Sequence, residues 1–132
     1  MRIEAYFDEM RTTLETCTVV QSSEIAYDKR STHEGYLRGE IFFLDGSVLH
    51  FREYVDVEGE RERISYTYQY MDSSGKLVFR YDNTGHHRRL NLPTYHHHRH
   101  EGKSEEVMAS PGPDLAAVLH EIEGQIDLGD GE

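Results

Sequence analysis

The chain has 132 residues, with 14 basic against 25 acidic side chains and a formal net charge of −11. That length suits one domain with one core, and no apolar run approaches the roughly 20 residues of a membrane-spanning helix. A lone cysteine, Cys17, excludes an internal disulfide and points to a reducing cytoplasm.

Met1-Arg2-Ile3-Glu4 does not open a signal peptide. There is no CxxC, no glycine-rich phosphate loop and no GxSxG elbow, so several enzyme classes lack support and no cofactor is expected. The charge is unevenly spread. Eight of the acids and none of the basic residues follow Lys103, whereas residues 76–103 hold six basic residues against Asp82 and Glu101. A locally positive strip on an acidic chain fits phosphate backbone, or else a segment folded against the chain's own acidic tail. Arginine outnumbers lysine 11 to 3, which also suits a high-salt habitat.

In chain order, "IEAYFDEMRTTLET" spaces Ile3, Tyr6, Phe7, Met10 and Leu14 as one face of an amphipathic helix. "VVQSSEIAYDKRS" reads as a strand. Four further β-rich runs follow, separated by turn signals at Asp45-Gly46, at "EGE" and at "SSG". Short connections make successive strands antiparallel neighbours, giving a meander of about five strands. Beyond Asn83 the pattern is irregular, although "PTYHHHRH" can add a short edge strand. Asp114 is a candidate N-cap for a helix whose stripe is Leu115, Val118, Leu119 and Ile122, with Gly124 as its stop. The expected fold class is α+β, a single domain over residues 1–126 with a flexible acidic tail at 127–132. One sheet face packs on helix and the other is open to a substrate. The last helix either docks on the domain or covers the basic strip.

Alternation places Leu37, Ile41, Phe43, Leu77 and Phe79 on a mostly apolar face. Tyr66, Tyr68 and Tyr70 share one face of their strand, where packing is the commoner role for tyrosine and base stacking the alternative. Register between strands is open at this point.

Six of the nine histidines fall within residues 80–100: His86, His87, His96, His97, His98 and His100. An expression tag would not be internal or interrupted by Arg99. A metal site has ligand types in the histidines and Asp82, but no spacing such as HExxH defines a geometry, and the neighbouring arginines disfavour a divalent cation. A solvated surface is the bland alternative. Acid–base work on RNA uses the same residues more fully. The 2′-hydroxyl is a built-in nucleophile, so the protein must supply a base, an acid, and cations for the charge on phosphorus. Histidine fills the first two roles near neutral pH and arginine the third.

"GYLRGEIFFLDGSVLHFREYVD", "YTYQYMDSSGKLVFRYDN", the paired histidines at 86–87 and "HHHRH" resemble the TumE family over about residues 3–123. The matching positions are Glu53, Tyr54, Arg80, Tyr81, Asp82, His86, His87, His97, His98 and His100. Gly85 and His96 depart from the pattern, where the family carries proline. The resemblance implies the toxin of a type II pair, suspected to be a ribonuclease and neutralised by a cognate helix-turn-helix antitoxin. It also implies a helix-plus-meander fold.

The resulting expectation is a cytoplasmic, metal-independent endoribonuclease with an RNA substrate, an antitoxin partner and no membrane contact; a homo-oligomer stays open. His98 and His100 form the proton-transferring pair, with His86, His87 and His97 as alternates. Arg80 stabilises the phosphorane, and Asp82 or Glu53 orients an imidazole. Arg38, Tyr54, Tyr81, Arg88, Arg89 and Arg99, with Glu53, surround the substrate. The alternatives are a non-catalytic module that binds nucleic acid or antitoxin, and a metal-dependent nuclease built on the histidine cluster.

Overall fold

A computed structural model of the chain describes residues 1–83, 98–101, 106–109 and 112–126. Its elements are α1 (Ile3–Thr16), β1 (Val20–Lys29), β2 (Glu34–Phe43), β3 (Val48–Asp56), β4 (Glu62–Met71), β5 (Leu77–Asp82), β6 (His98–Glu101), β7 (Glu106–Ala109) and α2 (Leu115–Gln125). Among the described residues the strands form one antiparallel sheet in sequence order, from β1 to β7. The first five are the expected meander. β6 arises from the end of "PTYHHHRH", but it lies inside the sheet because β7 pairs with its far side. β7 is only four residues long, too short for alternation to announce it.

The hairpin turns follow their residue types. Gly46 adopts φ 88° between β2 and β3, a conformation that costs glycine little, and Asp45 Oδ1 accepts the Ser47 amide at 2.9 Å. Asp72 Oδ1 does the same for Ser74 and Lys76 between β4 and β5.

One sheet face is the core. Leu37, Ile41, Phe43, Leu49, Phe51, Val55, Tyr66, Tyr68, Tyr70, Phe79 and Tyr81 are buried there under both helices. From α1 the buried residues are Ile3, Tyr6, Phe7, Met10 and Leu14, the stripe that helical spacing predicts. From α2 they are Leu115, Val118, Leu119 and Ile122. Asp114 caps α2, accepting from the Ala117 amide at 2.9 Å. Gly124 does not end this helix, which continues to Gln125 with Ile126 as C-cap; the glycine lies in the last turn, where it has no neighbour to pack against. Docking α2 on the core face also separates it from the opposite face, so the helix does not cover Arg80. The acidic tail at 127–132 lies outside the described residues.

Tyr66, Tyr68 and Tyr70 are 2%, 0% and 4% exposed, which excludes base stacking and leaves packing as their role. Tyr70 meets Phe43 edge-on at 5.8 Å and Phe79 at 5.3 Å between ring centroids. No helix among the described residues is long and apolar enough to cross a membrane.

Candidate active site

The register turns alternation into rows that run across the open face. One row is Ala26, Arg38, Arg52, Thr67, Asp82, with His98 opposite Asp82 in register. The next is Glu24, Glu40, His50, Gln69, Arg80, His100. A trough of about 820 Å³ lies over this face, and Arg38, Arg52 and Arg80 help line it.

The chemistry concentrates where β5 meets β6. In "LVFRYD", Phe79 and Tyr81 turn to the core, so Arg80 and Asp82 share the open face. Arg80 stands directly across from His100, and Asp82 lies on its diagonal, close enough for side chains to meet. Both side chains converge on one oxygen. His100 Nε2 is 2.9 Å from Asp82 Oδ2, and Arg80 Nε is 3.1 Å from it. The side chains are 1% exposed for Asp82, 14% for His100 and 32% for Arg80. A buried carboxylate therefore lies at ion-pair distance from an imidazole and a guanidinium that are themselves partly exposed, without a directed hydrogen bond among these three atoms. A carboxylate beside one ring nitrogen orients the ring and selects its tautomer.

Other expected site residues fall elsewhere. Glu53 is 1% exposed and sits on the core face, accepting hydrogen bonds from Tyr6 and Tyr68 at 2.5 Å each. Burial pushes its carboxyl up, and the two phenols partly offset this. The sheet stands between Glu53 and the open face, so of the two carboxylates expected to orient an imidazole, Asp82 contacts one and Glu53 does not. Tyr81 also faces the core, donating to Glu121 Oε1 at 2.7 Å; burial and this carboxylate push its hydroxyl up to about 12.

Arg99 belongs to the same core-side cluster. It reaches Glu121 Oε2 and Glu101 Oε1, each at 2.8 Å, bonds the Tyr81 hydroxyl, and lies 4.8 Å above the Phe79 and Tyr81 rings. It ties β6 to α2, so the idea of a basic segment folded against the chain's own acids holds for this residue. Substrate on the open face would not meet it.

Arg38 is exposed on the open face, as expected. Tyr54 is on that face too, but its hydroxyl donates to Glu34 Oε1 at 2.8 Å, toward the end of the sheet. His86, His87, Arg88, Arg89 and His97 lie outside the described residues, as does His96. Among the described residues no three His, Cys, Asp or Glu side chains gather as a metal-ligand group.

Two open-face residues, Arg52 and His50, are not among the site residues expected from the sequence. His50 Nδ1 lies 3.0 Å from Glu40 Oε2. Their strand parity with Arg38's face was readable; what was missing was the register that sets them beside Arg80. Arg63 also becomes legible only in three dimensions. It donates to the Pro113 and Gly112 carbonyls at 2.7 and 2.5 Å and fastens the approach to α2.

No curated protein and no solved structure matches the chain. A family model described as Toxin TumE does match, over residues 10–126, a span containing the whole sheet, Arg80, Asp82, His100 and α2. The chain therefore belongs to the TumE toxin family.

Proposed function

We infer that this toxin cleaves RNA by metal-independent acid–base chemistry on the open sheet face, and that a cognate helix-turn-helix antitoxin neutralises it. The observation that carries the reading is the convergence of His100 and Arg80 on the buried Asp82 carboxylate. A base removes the 2′-hydroxyl proton, O2′ attacks phosphorus, the P–O5′ bond breaks, and an acid protonates O5′. The products are a 2′,3′-cyclic phosphate and a 5′-hydroxyl. His100 is one proton carrier, oriented by Asp82. His98, two residues along the same strand and opposite Asp82 in register, is the candidate for the other. Arg80 sits where its guanidinium can balance the charge that develops on phosphorus.

The experiment is incubation of the protein with excess single-stranded RNA in EDTA. The expected result is turnover to cyclic-phosphate fragments, with His100→Ala slowing it by about 10²–10⁴. Intact RNA with shifted mobility would identify a non-catalytic binder instead. Cleavage that requires an added transition metal would identify a metal-dependent nuclease. The antitoxin part is tested by co-expression with a helix-turn-helix protein from the neighbouring reading frame, which should copurify and suppress cleavage.

A further inference from the structure

Two guanidinium groups on the open face take no part in the cluster at Asp82. Arg38 and Arg52 stand directly across from each other on β2 and β3, and both are exposed. Like charges in directly opposed positions on one sheet face repel. The other described arginines form ion pairs with carboxylates or, for Arg63, bond backbone carbonyls. Arg38 and Arg52 have no carboxylate within 4.0 Å among the described residues. Glu24 and Glu40 line the same trough, but Glu40 is engaged by His50 at 3.0 Å. A facing pair of cations with no carboxylate in ion-pair contact is unfavourable in the free protein and becomes favourable once an anion lies between them.

We propose that Arg38 and Arg52 are a second phosphate subsite, holding a phosphate that flanks the one cleaved beside Arg80 and His100. Arg52, Thr67 and Asp82 occupy one register row, so two strand spacings of about 4.8 Å each separate the subsite from the reacting cluster. An RNA strand bridging the two runs along this row, across the β-strands rather than along them. The adjoining row strengthens the case for nucleic acid over a small anion. There Tyr36 and Tyr54 pair edge-on with ring centroids 6.5 Å apart, both half-buried on the same face. Aromatic groups beside a cationic track are what unpaired bases stack on. The proposal rests on reading this face as an RNA face but does not require cleavage.

The test uses a labelled single-stranded oligoribonucleotide with 2′-O-methyl sugars, which lacks the nucleophile. Fluorescence anisotropy across a salt series gives affinity and its salt dependence for the full chain. Arg38→Gln/Arg52→Gln should bind at least about 10-fold more weakly, and its log–log salt slope should fall by about 0.7–1.4, one or two phosphate contacts' worth. Both side chains are exposed, so the fold should persist, as circular dichroism can verify. Arg2→Gln, an exposed arginine on the helix side, is the control and should match the wild type. A double variant with wild-type affinity and slope overturns the subsite, as does one that keeps RNA affinity but loses the antitoxin. A protein that binds the probe through these arginines yet leaves ordinary RNA intact keeps the subsite and removes the ribonuclease. One that cleaves RNA with the double variant unaffected does the reverse.

Discussion

His100 Nε2 lies 2.9 Å from Oδ2 of Asp82, a carboxylate that is only 1% exposed. The pair is diagonal across β5 and β6, so strand pairing brings the ring to the carboxylate. Groups that act as a unit lose function non-additively. Asp82→Asn should therefore lower the cleavage rate by about 10-fold or more, and Asp82→Asn/His100→Ala should be no slower than His100→Ala alone. Multiplying losses in single-turnover rates would show that the two residues act separately.

Arg99 and Arg80 lie close in the sheet but on opposite faces, and their replacement should separate stability from chemistry. Arg99→Met removes the link between β6 and Glu121 of α2, and should cost about 1–3 kcal/mol of folding stability. Lysine should restore it poorly, because one ammonium cannot serve Glu121 and Glu101 while lying flat on Phe79 and Tyr81. Arg80→Gln should instead depress cleavage with a smaller change in unfolding midpoint, since its side chain is one-third exposed. Denaturant titration beside a cleavage assay distinguishes them. Equal stability losses would refute the division of labour.

How much of this was readable beforehand depended on period and register. Helical spacing identified the buried stripe of α1 residue by residue, and alternation put Arg80 and Asp82 on one side of their strand. Even Glu53 was readable in part, because it shares parity with Phe51 and Val55. A charged residue on an apolar face looks functional until its partners are known, and those partners, Tyr6 of α1 and Tyr68 of the adjacent strand β4, are set by packing and register. The rows that gather Arg38, Arg52 and His50 were not readable, because pairing sets them and a one-residue slip would send each to the other face. Arg99 was grouped with its basic neighbours, yet strand alternation turns it away from His100.

Glu53 gives the core a definite pH dependence. Burial pushes this carboxyl up, with the Tyr6 and Tyr68 hydrogen bonds only partly offsetting it. The folded protein thus keeps the proton to higher pH than the unfolded chain. Its stabilising contribution is full below the ordinary carboxylate range and is lost as pH rises through that range toward the folded value. Glu53→Gln stays neutral throughout. Its stability relative to wild type should increase from about pH 4 to about pH 8. Denaturant titrations at both ends measure the difference. A flat or opposite trend would mean that the buried carboxylate is ionised and satisfied by its two phenols.

Gly39 sets the approach of β1 to β2 at the back of the trough. It pairs with Ile25, and a Cβ added there would lie 2.2 Å from the Glu24 carbonyl oxygen and 2.8 Å from Ile25 Cα. Those are backbone atoms, so relief requires moving a strand rather than rotating a side chain. Gly39→Ala should destabilise the fold by about 1–3 kcal/mol, the usual cost of overpacking. Gly59→Ala is the matched control, since nothing lies within 4 Å of its added methyl, and it should stay within about 0.5 kcal/mol of wild type. Because β1 walls the trough with Glu24 and Ala26, the Gly39 variant should also weaken RNA binding at temperatures where it remains folded. Unfolding curves that coincide for the two alanine variants would show that β1 yields freely at this point and that its close approach to β2 does not shape the open face.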